Sequence, residues 1–199
     1  MLSCGKGCIV RSLAPNLAES AAALRGPRCV AMSGAGSGAA DAAGAGAGSH
    51  PGAGRIITDT PTIRKIAAAA RRVAVLGIKT EKQAEQPAFY VAQYLSGAGV
   101  DVAPVPVFYP DVTTILGKEV YRRVVDVPGP IDVLDVFRKP SDLPPHLEDI
   151  LAARPKAVWL QSGITNPEFE AALAAAGIDV VANRCLLVEH QAAVREGRL

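Results

Sequence analysis

Five short apolar runs recur along the chain after residue 70: Val73-Ala74-Val75-Leu76, Val102-Ala103-Pro104-Val105, Val133-Leu134-Asp135-Val136-Phe137, Ala157-Val158-Trp159-Leu160 and Val180-Val181-Ala182. None alternates apolar with polar, as a strand with one wet face would; near-continuous Val/Leu/Ile is the pattern of strands covered on both faces. Each run stops at a residue that bends or ends a strand: Gly77, Pro106, Arg138, Ser162 and Asn183. Most are separated by Ala/Leu-rich stretches long enough for a helix. Strand and helix in alternation predict an α/β fold, a doubly wound parallel five-stranded sheet in three layers.

The predicted strands span about 73–78, 101–105, 131–137, 156–161 and 178–182. Asp59 or Thr60 caps a first helix, with Pro61 in its first turn and Ile63, Ile66 and Ala70 at helical spacing. Pro87 opens a second, carrying Val91, Tyr94 and Leu95 and ending near Gly97 and Gly99. Pro144 and Pro145 sit in the first turn of a third, running towards Ala153. Asn166-Pro167 starts a fourth, which ends at Gly177. Residues 107–130 form a long connection with room for a short strand or helical turn, and a tail holding Glu189-His190 follows the fifth strand. Right-handed crossovers predict the strand order 3-2-1-4-5, with the switch point beside the first strand.

Composition divides the chain near residue 55. Residues 1–55 hold eleven of the nineteen glycines and carry five cations against two acids. That is +3 of the chain's +2, so residues 56–199 stand at −1. The folded part therefore lacks the cationic excess of a nucleic-acid binder. An Arg- and Ser-bearing, Ala-rich, acid-poor leader has the composition of a transit peptide for chloroplast or mitochondrion. Its apolar stretches are too short to span a membrane. The leader is expected to be disordered and low in complexity, and an extension with no address is the plainer alternative. Cys4, Cys8 and Cys29 lie in the leader, leaving Cys185 alone in the domain, so neither a disulfide framework nor a zinc spacing is present. No metal site is expected.

In parallel sheets the ligand sits at the carboxyl ends of the strands. There Gly77 opens the polar loop Lys79 to Gln86, which leads to a helix N-terminus at Pro87. Free backbone N–H groups and the helix dipole favour a phosphate, with Lys79 or Lys82 adding charge. A solvated loop with surface lysines is the alternative. A literal GxGxxA at Gly34, Gly36 and Ala39 follows no strand and reflects composition. A dinucleotide fingerprint needs more glycines than Gly77 and an acid at the end of the second strand, where Pro106, Val107 and Phe108 stand instead. Standard NAD binding is disfavoured.

Arg138-Lys139 closes the third strand, as a fork-like grip on phosphate or as a surface pair. Gln161, Ser162 and Gly163 end the fourth and can approach a ligand by backbone. Asn183-Arg184-Cys185 holds the equivalent place on the fifth. Trp159 reads as core. Cys185 and His190, with Glu189 as orienter, compose a thiolate–imidazole set on paper, but a buried cysteine and a chain-end histidine are the plainer reading. No catalytic residue is assigned. His50 and His146 read as ordinary exposed residues.

Ile131-Asp132-Val133-Leu134-Asp135-Val136-Phe137-Arg138-Lys139-Pro140, then Lys156 to Gly163, then Asn183-Arg184-Cys185 and Val188-Glu189-His190 resemble the single-domain CoA-binding family. That family looks like the CoA-binding domain of succinyl-CoA synthetase standing alone, and the resemblance covers roughly residues 60–190. It implies a Rossmann-like sheet holding coenzyme A, with phosphates at the Gly77 loop and adenosine across the strand ends. Carried over by position, the contacts are Gly77, the 79–88 loop with Lys79, Lys82 and Pro87, Phe137-Arg138 and the Gln161-Ser162-Gly163 turn. Ile78, Pro106, Asn183 and Cys185 beside them complete the candidate set. Two segments depart from the family pattern. The first loop is longer and reads Gln86-Pro87-Ala88 where Arg-Pro-Ser is usual, and Pro106-Val107-Phe108-Tyr109-Pro110 displaces the usual Asn-Pro.

The expectation is a binder of CoA or acyl-CoA that acts as a non-catalytic carrier, sensor or regulator. The alternatives are a small NADP oxidoreductase, with Arg138 or Lys139 on the 2′-phosphate, and a ligand-free fold working through protein contacts. A small nucleotide cofactor is the expected partner, with no nucleic acid and no membrane, and with a homodimer or protein partner left open.

Overall fold

Alternate residues of an extended strand face opposite sides, and here both sides are apolar. In strand β2 (Arg72–Leu76), Val73 and Val75 join one buried cluster while Ala74 and Leu76 join the other. The computed structural model describes residues 54–197. Among these, six strands form one parallel sheet. Beside β2 lie β3 (Asp101–Val105) on one side and β6 (Val133–Val136) on the other; β7 (Ala157–Leu160), β8 (Asp179–Val181) and β1 (Ile56–Ile57) follow outward from β6. A separate antiparallel hairpin pairs β4 (Thr114–Ile115) with β5 (Lys118–Glu119).

Helices α1 (Thr60–Ala69), α2 (Pro87–Gly97) and α5 (Leu186–Arg195) cover one face. They pack Ile63, Phe89, Leu95 and Leu186 on Val73, Val75, Val133 and Trp159. Helices α3 (Leu147–Ala153) and α4 (Pro167–Ala175) cover the other, setting Ile150, Phe169 and Leu173 against Leu134, Val158 and Leu160. Each fully buried Leu, Ile or Val contributes roughly 1.5–3 kcal/mol. The predicted three-layer, doubly wound fold is thus the observed one. Among the described residues no helix is long and apolar enough to cross a membrane. Residues 1–53 of the leader, with its GxGxxA, its three cysteines and His50, lie outside the described residues.

Four expectations need correction. In the numbering of the five predicted strands the order is 2-1-3-4-5, not 3-2-1-4-5. The expected order put the Pro104 strand inside the sheet, where a missing N–H breaks a ladder. The structure places it on the edge, where the Pro104 carbonyl accepts Tyr121 N–H at 2.9 Å. A sixth strand, β1, pairs beyond β8 with Ile56 opposite Val180; its two residues leave no periodic signal. The C-terminal tail is helix α5, which buries Glu189 and His190 along with Leu186 and Ala193. The third helix begins as a 3₁₀ turn, Pro144–His146, before α3 proper.

The predicted caps are present. The Asp59 carboxylate accepts Thr62 N–H at 2.9 Å, so Asp59, not Thr60, is the α1 cap. Asn166 Oδ1 accepts Phe169 N–H at 3.1 Å at the start of α4.

Candidate functional site

The chain leaves β2 for β3 on one side and later enters β6 on the other, so the crevice of the sheet opens above the end of β2. Gly77 makes that turn. Its φ is +85°, and a Cβ there would lie 2.6 Å from the Phe137 carbonyl oxygen and 3.2 Å from Arg138 Cδ. Only glycine lets the β2 turn pass so close beneath the end of β6. Gly77 N–H donates to the Val105 carbonyl at 2.8 Å, which locks the turn to β3 as well.

Ile78 then turns into the core, and Thr80 is buried with its hydroxyl on Gln83 Oε1 at 2.7 Å. Lys82 is exposed on the 3₁₀ turn Glu81–Gln83, while Glu81 accepts Leu116 N–H at 2.8 Å and ties the loop to the hairpin. Pro87 is the first residue of α2. The capping residue Gln86 offers no side-chain bond to the helix, but its carbonyl accepts Phe89 N–H at 2.9 Å and Tyr90 N–H at 3.1 Å. Pro87 brings no N–H, so the end of α2 offers an anion chiefly the positive end of the helix dipole.

Arg138 lies over the Gly77 turn. Its side chain is 13 % exposed, and Nη2 donates to Asp142 Oδ2 at 3.0 Å. Its Nε is buried without a hydrogen-bond partner. The guanidinium carbon is 5.3 Å from the centroid of Phe108, and Lys79 Nζ is 5.4 Å from the same centroid. Lys139 is exposed beside them. His146 is half-buried, not simply exposed as expected; burial and the Arg138 charge lower its pKa against the pull of Asp149 and Asp142. Pro106 is buried where β3 ends, and Phe137 is half-buried against the α2 side of the core.

At the ends of β7 and β8 the backbone is shaped by side chains. Gly163, at φ +80°, donates its N–H to Asn183 Oδ1 at 2.8 Å, and Asn183 itself stands at φ +56°. Ser162 is exposed in that turn. Gln161 folds back, 5 % exposed, and donates Nε2–H to Asp135 Oδ1 at 2.8 Å. Asp135 is fully buried and its Oδ2 has no hydrogen-bond partner. Burial pushes its pKa up to about 7, against the bonds from Gln161 and the Val136 N–H.

Cys185 is half-buried at the start of α5. The thiolate–imidazole set is not assembled. His190 Nδ1 lies 3.0 Å from the Tyr94 hydroxyl, and burial lowers its pKa. Glu189 accepts from Arg64 Nε at 3.2 Å and Arg184 Nη1 at 3.5 Å. These neighbours in sequence serve different partners and fasten α5 to α1 and α2. Trp159 is core as expected, with its indole N–H on the Arg184 carbonyl at 2.8 Å.

Two features escaped the sequence reading. Asp135 is signalled by an acid inside an otherwise apolar strand, and Phe108 by an aromatic residue directly after a strand end.

The fold and this rim define a doubly wound α/β module whose crevice suits a phosphate-bearing ligand. The chain belongs to the CoA-binding domain family, whose model matches residues 71–191. It is 28 % identical over 128 residues to the uncharacterized protein YneT of Bacillus subtilis, covering 64 % of this chain and 91 % of that one. The solved structure of cell-free ID.343 from Thermus thermophilus is similar at 44 % identity and a TM-score of 0.62, over 68 % of this chain and 99 % of that one. A hypothetical protein from Pyrococcus horikoshii is similar at 31 % identity and a TM-score of 0.61, over 70 % and 96 % of the two chains.

Proposed function

We propose that this chain binds coenzyme A or an acyl-CoA across the carboxyl ends of β2, β3, β6 and β7, and acts as a carrier, sensor or regulator, not a catalyst. Membership of the CoA-binding domain family supports the ligand. The observation that carries the site is Arg138, folded onto the Gly77 turn with a buried Nε lacking any partner. A phosphate oxygen at that turn would meet the guanidinium and face the positive end of the α2 dipole. The non-catalytic part rests on groups already engaged: His190 with Tyr94, Glu189 with two arginines, Asp135 with Gln161.

Thermal melting of the full chain with CoA, acetyl-CoA, NADPH or ATP in large excess tests the reading. Ligand at about a thousand times its dissociation constant stabilises by roughly 4 kcal/mol, or a Tm rise near ~10 °C. A rise with CoA species alone is expected. A rise with NADPH alone, or with none of the four, would refute it. We also assign residues 1–55 to organelle targeting on composition; a fluorescent fusion that stays cytosolic would overturn that.

A further inference from the structure

Residues 106–112 form a loop built to hold one aromatic ring in the open. Tyr109 stands at φ +69°, a left-handed conformation that non-glycine residues keep only when their surroundings hold it. The Arg122 guanidinium supplies the hold. Its Nη1 donates to the Tyr109 carbonyl at 3.0 Å, and Nη2 donates to those of Pro110 at 2.8 Å and Val112 at 2.5 Å. Lys79 Nζ reaches the Tyr109 hydroxyl at 3.5 Å from below. Next to this clamp Phe108 is 55 % exposed, with Lys79 and Arg138 each within cation–π reach. Arg138 touches both the Gly77 turn and this ring, so the two lie within the span of one nucleotide.

In dinucleotide-binding sheets the residue after the second strand reads the adenosine ribose through an acid. This chain has no acid there. Pro106 and Val107 carry no side-chain donor or acceptor, and Phe108 has only a π-face to offer.

We propose that Phe108 is the stacking platform for the ligand's adenine and so sets preference for a purine nucleotide end. The proposal rests on the CoA reading above and names the contact that reading lacked. Lys79 and Arg138 hold the ring and stand ready for phosphates on the same nucleotide.

The test is calorimetric titration of the full chain with CoA and with adenosine 3′,5′-bisphosphate, which keeps the base and lacks pantetheine. Base–aromatic stacking makes Phe108→Leu weaken CoA binding roughly 5- to 100-fold. The same loss is expected for the bisphosphate, while the ligand-free Tm stays put because the ring is exposed. Phe108→Trp should bind CoA within about threefold of wild type, and its new indole fluorescence should be quenched on binding, as stacking requires. Phe108→Leu binding CoA as wild type does would overturn the platform and leave the CoA reading standing. Phe108→Trp as weak as Phe108→Leu, or an unquenched indole, would do the same. A wild-type chain that ignores CoA would sink the reading beneath it.

Discussion

Replacing Asp135 with Asn should stabilise the protein by an amount that grows with pH. The carboxyl group is fully buried between the register partners Val75 and Trp159, and burial lifts its pKa from 3.8 to about 7. Between those values the folded state keeps a proton that the unfolded chain has released. Folding therefore takes up a proton, and stability falls as pH rises. The contribution is fully present below pH 3.8 and gone above pH 7. Three units at about 1.4 kcal/mol each make the whole loss about 4 kcal/mol. Asparagine keeps an oxygen for the Gln161 amide and puts an NH₂ where Oδ2 has no partner. Any cost of that swap is independent of pH, so the slope isolates the ionisation. From pH 5 to pH 8 the gap should open by about 3 kcal/mol, or roughly 8–10 °C in Tm for a domain of this size. Scanning calorimetry of both ligand-free proteins at each pH unit reads it directly. Parallel Tm curves across that range would mean Asp135 ionises near its ordinary pKa, and the burial argument would be wrong.

Gly77→Ala drives a Cβ to 2.6 Å from the Phe137 carbonyl at φ +85°, so about 1–3 kcal/mol of stability and most CoA affinity should go together. Melting and calorimetric titration that both match wild type would show the turn has room. Asp132 feels burial, but the Lys156 ammonium at 2.6 Å and the Arg72 and Arg71 N–H groups at 3.0 Å outweigh it and hold its pKa below 3.8. Its stabilisation is present above pH 3.8 and is lost as pH falls through the lowered value. Asp132→Ala should cost about 1–3 kcal/mol at pH 7, with the gap narrowing in urea melts at pH 2.5; a constant gap contradicts this. Asn166→Ala removes the α4 cap and should cost about 1 kcal/mol, near 3 °C in Tm. An unchanged Tm would show that water replaces the cap.

Much of the fold was legible because its signals are local. Uninterrupted apolar runs specify strands buried on both faces, and Asp59, Pro87 and Asn166-Pro167 mark helix starts through groups at most a few residues away. Gly77 was readable as a turn for the same reason. Strand order was not, because each crossover is compatible with docking on either side of the sheet. Packing decided it by which strand tolerates an edge, and Pro104 in β3 is the residue that settles the choice. Helix α5 hid behind Glu189 and His190, polar residues on its buried face. They become acceptable there only once Arg64, Arg184 and Tyr94 arrive from distant elements to satisfy them. The Asp135–Gln161 pair depends on the same kind of event, since 26 residues separate its members and the β6–β7 register joins them. Phe108 is visible in the sequence as an aromatic residue after a strand. Its role as an exposed ring follows from the Arg122 clamp and the two cations, which converge on it from β2, β6 and the hairpin connection only when the sheet has closed. Local chemistry determined which elements form; satisfaction of buried polar groups across the sheet determined where they go and what the rim presents.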